Sequence, residues 1–186
     1  MVKILLERKE VNPCKLDGSN GIPLAWAASH GHEGVVKILL AREEVNPNKP
    51  DGHGRTPLSD AAGHGREGVV KMLLGRDEVD PDKPDNDGQT PLSWAAMCGY
   101  EGVVKMLLGR EEVNPDKPDN RGRTPLFDAA RYGHEGVVKI LLEREEVNPD
   151  QPDNDGQTPL SMATKWHYES VVALLHSHKA VTPSTI

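Results

Sequence analysis

The chain has 186 residues, of which 36% are hydrophobic and only 4% aromatic, and it carries a net charge of −7. That balance argues against nucleic acid or an anionic membrane as partner, since phosphates need neutralising Lys and Arg; it fits a basic protein partner or simply a soluble surface. No stretch approaches the roughly 18 apolar residues of a membrane span, and MVKILLERKE is too short and too charged for a signal peptide.

In chain order, residues 1–16 read as an outer helix (Val2, Ile4, Leu5, Leu6) and a following loop, without an inner helix before them. An exposed apolar flank of this kind predicts a fragment, or an array that continues in a longer parent, because terminal repeats normally carry a polar cap; the alternative is a naturally frayed first helix. The tripeptide Thr-Pro-Leu then recurs at Thr56, Thr90, Thr124 and Thr158, every 34 residues, with Ile22-Pro23-Leu24 as a degenerate earlier copy. A fixed period of this length means a stacked repeat architecture. The units are 17–50, 51–84, 85–118, 119–152 and 153–186, and residues 1–16 are the second half of another. In 17–50 the turn is shifted by Asn20-Gly21. Unit 153–186 degrades late, with Ala173, His176 and His178 replacing Lys, Leu and Arg; it reads as a C-terminal cap whose tail frays from Val181.

The unit 85–118 shows the expected local structure. Thr90 caps a short inner helix with Pro91 at its first position. Leu92, Ala95 and Ala96 form one apolar stripe, and Gly99 ends the helix. An outer helix begins near Glu101, buries Val103, Val104, Leu107 and Leu108, and places Arg110 where it suits the C-terminal dipole. A polar segment with two prolines follows and predicts an extended finger closing in a tight turn. Small Ala pairs on the inner helices and Val-Val and Leu-Leu on the outer ones predict a curved stack, concave on the inner side.

These motifs resemble the ankyrin repeat: Asp-x-x-Gly-x-Thr-Pro-Leu, the Ala-Ala pair, Gly-His at Gly31-His32 and Gly133-His134, Val-Val-Lys-x-Leu-Leu, and Val-Asn. The proline-rich finger is similar to that of arrays in fungal multidomain proteins. The resemblance covers the whole chain and implies an all-α solenoid of helix-turn-helix units with β-turn fingers. There are departures. The family's His after Thr-Pro-Leu is replaced by Ala25, Ser59, Ser93, Phe127 and Ser161, so its hydrogen-bond network must be rebuilt or lost. The Gly-Ala-Asp after the outer helix is absent and the finger is longer.

Such proteins generally bind through finger tips and the concave face, which singles out three columns. The first, Trp26, Asp60, Trp94, Asp128 and Met162, alternates Trp with Asp. Arg55 and Arg123 accompany the Asp residues, whereas Gln89 and Gln157 take that position in units 85–118 and 153–186. The alternation suggests a duplicated two-repeat block. An acid beside an indole could receive a cationic side chain; alternatively the arginines neutralise the acids and the tryptophans pack beneath the fingers. The second column, His30, His64, Cys98, Tyr132 and Trp166, with Met97 and Arg131 beside it, varies on a constant frame, as a partner-selecting surface would, or as exposed positions drift. The third is the finger tip: Ser19, His53, Asp87, Arg121 and Asp155, next to Asn and Gly that serve turn geometry.

Other chemistry is weakly supported. His30, His64 and Cys98 match a zinc set by type, but one ligand per repeat puts them roughly 10 Å apart, against zinc bonds of about 2.0–2.3 Å. Asp80, Asp82, Asp85 and Asp87 could attract calcium but read as a solvated acidic loop. No nucleophile elbow or phosphate loop occurs. Asn46, Asn114 and Asn148 match a position hydroxylated in some ankyrin proteins, which would make the chain a substrate. Cys14 and Cys98 lie more than two repeats apart, too far for a disulfide. Free thiols and the absence of an Asn-x-Ser/Thr sequon suggest an intracellular, cytoplasmic or nuclear, setting. The expected function is therefore a non-catalytic, cofactor-free scaffold that binds a protein or peptide, as a monomer or within a larger chain, with Trp94, Cys98, Asp128, Tyr132 and Trp166 central. The alternative is a regulatory or targeting segment acting in cis.

Overall fold

The computed structural model describes residues 23–181, with side chains to residue 178. The expected helix in residues 1–16, Cys14, Ser19, the Asn20-Gly21 turn and the tail after Val181 lie outside them. Ten helices make up the described fold, with no strand among the described residues. The inner helices are α1 (Pro23–Ser29), α3 (Pro57–Gly63), α5 (Pro91–Cys98), α7 (Pro125–Arg131) and α9 (Pro159–Lys165). The outer helices are α2 (Glu33–Leu40), α4 (Glu67–Leu74), α6 (Glu101–Leu108), α8 (Glu135–Leu142) and α10 (Glu169–Val181).

Local chemistry sets these boundaries. The hydroxyls of Thr56, Thr90, Thr124 and Thr158 each accept the backbone N–H three residues on, and proline follows each cap. This satisfies one of the amides that every helix start leaves free. At the other end Gly99 takes φ +78, a left-handed conformation that glycine adopts without a Cβ clash. In unit 153–186 that position is His167, at φ 59.

Each inner helix packs on the next and on its own outer helix, and the outer helices pack on one another. Ala27, Ala28, Ala61, Ala62, Ala95, Ala96, Ala129 and Ala130 are fully buried, so the inner helices approach closely. Leucines and valines, among them Leu39, Leu73, Leu107 and Leu141, fill the layer between inner and outer helices. Neither helix of a unit could bury its stripe alone; stacking produces one continuous core from short-range contacts.

The fingers are joined as a ladder. Asn86, Asn120 and Asn154 donate their backbone N–H to the carbonyls of His53, Asp87 and Arg121 in the preceding unit. Their side-chain amides donate in the same direction, to the carbonyls of Gly52, Asn86 and Asn120. The neighbouring glycines Gly54, Gly88 and Gly122 have positive φ and leave room for the next asparagine.

Candidate functional site

The first column divides by chemistry. Each finger turn begins with an Asp whose Oδ1 accepts two backbone N–H groups: Asp51 from His53 and Arg55, Asp85 from Asp87 and Gln89, Asp119 from Arg121 and Arg123. What satisfies Oδ2 differs. Arg55 and Arg123 donate to it in their own units. In unit 85–118, where Gln89 replaces the arginine, Trp94 Nε1 donates at 3.0 Å. The Arg55 guanidinium also lies 5.9 Å from the centre of the Trp94 ring. Trp94 is half-buried, whereas Trp26 is exposed.

Asp60 and Asp128 face inward. Asp128 is 1% exposed, neither carboxylate oxygen has a hydrogen-bond partner, and the nearest cation, Arg123 Nη1, is 3.9 Å away. Burial pushes its pKa up to about 6, against the pull of Arg123, with the Asp119 charge adding to the rise. Asp60 is raised for the same reason, with Arg55 at 3.7 Å opposing. Asp119 goes the other way: burial alone would raise it, but the Arg123 hydrogen bonds and two backbone amides hold it below the usual range.

The second column lines the C-terminal ends of the inner helices. His30, His64, Cys98, Tyr132 and Trp166 are all exposed, while Met97 and Arg131 are half-exposed. Trp26 stacks on His30 with centroids 4.3 Å apart. His30 Nδ1 lies 2.9 Å from the Trp26 carbonyl and His64 Nδ1 2.8 Å from that of Asp60. A carbonyl only accepts, so Nδ1 carries the proton in both rings and Nε2 is left for other contacts. Burial pushes the Cys98 thiol pKa up, with the Asp128 charge assisting, which keeps it a poor nucleophile. His53, Asp87, Arg121 and Asp155, the third column, are exposed at the opposite ends of the inner helices. Among the described residues no His, Cys, Asp and Glu side chains converge as a metal set.

A further column was not visible from single units. Arg66 Nε donates to the Ser29 carbonyl and His134 Nε2 to that of Met97, each across a repeat boundary at 2.9 Å. Tyr100 and Tyr168 occupy the same position and bring their rings close against Gly65 and Gly133 of the preceding unit. These side chains clasp adjacent units at the edge of the inner face.

A family model described as ankyrin repeats (3 copies) matches residues 1–85, 54–119 and 103–184. The chain belongs to the ankyrin-repeat family. No curated protein matches it in sequence. The ankyrin departures now have structural outcomes. Where the family has His after Thr-Pro-Leu, Ser59 and Ser93 place Oγ 3.1 Å from the capping threonine's hydroxyl, and Ser161 completes a capping box with Thr158. The network is therefore rebuilt within three ankyrin units, while Phe127, at 1% exposure, fills the space with a ring instead. No helix among the described residues is long and apolar enough to cross a membrane. Ankyrin repeats are generally protein–protein interaction modules.

Proposed function

We propose that this array is a non-catalytic scaffold that holds a protein or peptide partner across the inner-helix face and the finger tips. The carrying observation is the second column: five side chains of four kinds, His30, His64, Cys98, Tyr132 and Trp166, stand exposed on a backbone that repeats unit after unit. Tyr and Trp are frequent interface anchors, and a frame that is already ordered lowers the cost of binding. The contact set comprises Trp26, His30, His53, His64, Asp87, Met97, Cys98, Arg121, Arg131, Tyr132 and Trp166. Trp94, Asp60 and Asp128 support it from beneath.

The test is capture of partners from the native source by wild type and by a Tyr132→Ala, Trp166→Ala double variant whose fold is verified by circular dichroism. Loss of the same captured proteins from the variant supports the reading. Undiminished capture by a folded variant rejects this face.

A further inference from the structure

Charge is not spread evenly over this acidic protein. The turns that join inner to outer helices are residues 29–32, 63–66, 97–100, 131–134 and 165–168, and these twenty positions contain no Asp or Glu, although the chain has 29. They hold instead Arg66, Arg131 and Lys165, five of the eight histidines, all three tyrosines and Trp166. Stacking aligns them as one edge, because the clasps from Arg66 to Ser29 and from His134 to Met97 join each turn to the one before.

The arginines of this edge differ from most of those that follow the outer helices or open the inner ones. Arg42, Arg55, Arg76, Arg110 and Arg123 are ion-paired. Arg66, Arg131 and Lys165 form no ion pair among the described residues. Arg131 and Lys165 lie over their neighbours Tyr132 and Trp166, 5.5 and 5.9 Å from the ring centres. Glu135 and Glu169, which follow the last two turns, are exposed. Glu33, Glu67 and Glu101 lean against Gly68, Gly102 and Gly136 at the start of the next outer helix. Asp60 and Asp128 are buried.

We propose that this edge receives an acidic, extended peptide segment of the partner, its carboxylates on Arg66, Arg131 and Lys165 and its apolar side chains against Tyr132 and Trp166. This rests on the binding-scaffold reading above and names its partner class. The whole-chain charge suggests a basic partner; the unpaired cations on this edge reverse that for the surface in question, since complementary charge steers and orients binding. Successive layers are roughly 10 Å apart and an extended chain advances about 3.3 Å per residue. One unit therefore spans about three residues, so acids meeting Lys165, Arg131 and Arg66 stand about three and then about six residues apart, a set that Glu at every third position contains.

The test uses fluorescence anisotropy with the full chain and four labelled ligands. They are a decamer with Glu at every third position, one with the same Glu residues bunched at one end, the Lys counterpart, and a decameric single-stranded oligouridine. The spaced Glu peptide binds tightest, weakens with salt, and weakens at least about tenfold for Arg131→Glu, Lys165→Glu. The Lys peptide gains affinity for that variant. Absence of binding by the spaced peptide, preference for Lys, or indifference to the charge reversal overturns the proposal. Tighter binding of oligouridine overturns it in favour of a nucleic-acid surface. If charge reversal leaves native partner capture intact while Tyr132→Ala, Trp166→Ala abolishes it, the scaffold reading stands and the acidic class is withdrawn; if neither change matters, both fail.

Discussion

Trp94 and Asp85 are joined by a hydrogen bond from Nε1 to Oδ2 that replaces the arginine–aspartate pair of the neighbouring units. From unit 51–84 to unit 119–152, the change between aspartate and tryptophan in the first column goes with which side chain serves the finger-turn carboxylate. Where arginine serves it, in units 51–84 and 119–152, the column position is a buried aspartate near that arginine; in unit 85–118, where glutamine stands in the turn, the indole serves it.

Trp94→Phe leaves a buried carboxylate oxygen without its donor and lowers stability by about 1–3 kcal/mol. Adding Gln89→Arg installs the donor used by the flanking units and recovers most of that loss. Urea unfolding of the single and double variants measures both.

Asp128 makes stability depend on pH. Its folded-state pKa of about 6 stands above the reference value of 3.8. Below 3.8 the group is protonated in both states and costs nothing. As pH rises through 6 the folded protein must carry a buried charge, and roughly 3 kcal/mol of stability is lost. Asp128→Asn therefore raises the melting temperature relative to wild type at pH 7.5, and the gap closes as pH falls to 4. Thermal melts across that range provide the check, and a gap independent of pH would contradict it.

His167 holds a left-handed backbone at φ 59, where Gly31, Gly65, Gly99 and Gly133 stand in the other units. His167→Gly relieves that strain and stabilises by about 1 kcal/mol. The readout is a higher denaturation midpoint with an unchanged urea m-value.

Gly99→Ala acts in the opposite direction. Its φ of +78 disfavours any Cβ, and the added atom would meet the His134 ring that reaches to the Met97 carbonyl. The loss exceeds about 1 kcal/mol from backbone strain alone, and hydrogen exchange quickens at the boundary between units 85–118 and 119–152.

Local features of the fold were legible because they depend on near neighbours. The threonine caps, the proline starts, the left-handed Gly99 and the buried Val103, Val104, Leu107 and Leu108 stand where the spacing predicts them. His176, which replaces a core leucine, is exposed. What escaped the sequence spans two units. Arg110 reads as a complement to its own outer helix, yet it donates to the Leu74 carbonyl of the preceding one, as Arg144 does to Leu108. The Arg66 and His134 clasps join groups 37 positions apart, beyond the reach of any periodicity within one unit. For Asp60 and Asp128 the alternative reading holds, with Arg55 and Arg123 beside them, but polarity gives no hint of how deeply Asp128 is buried.

The asparagine ladder between fingers uses the same donor and acceptor positions at every step it makes. Excising residues 85–118 as a block would bring Asn120 against His53 and Gly52, the partners that Asn86 now has. Any such deletion or duplication re-forms the bonds it severs, so the length of the array can change by whole steps without new wiring, and a longer grip needs only more rungs.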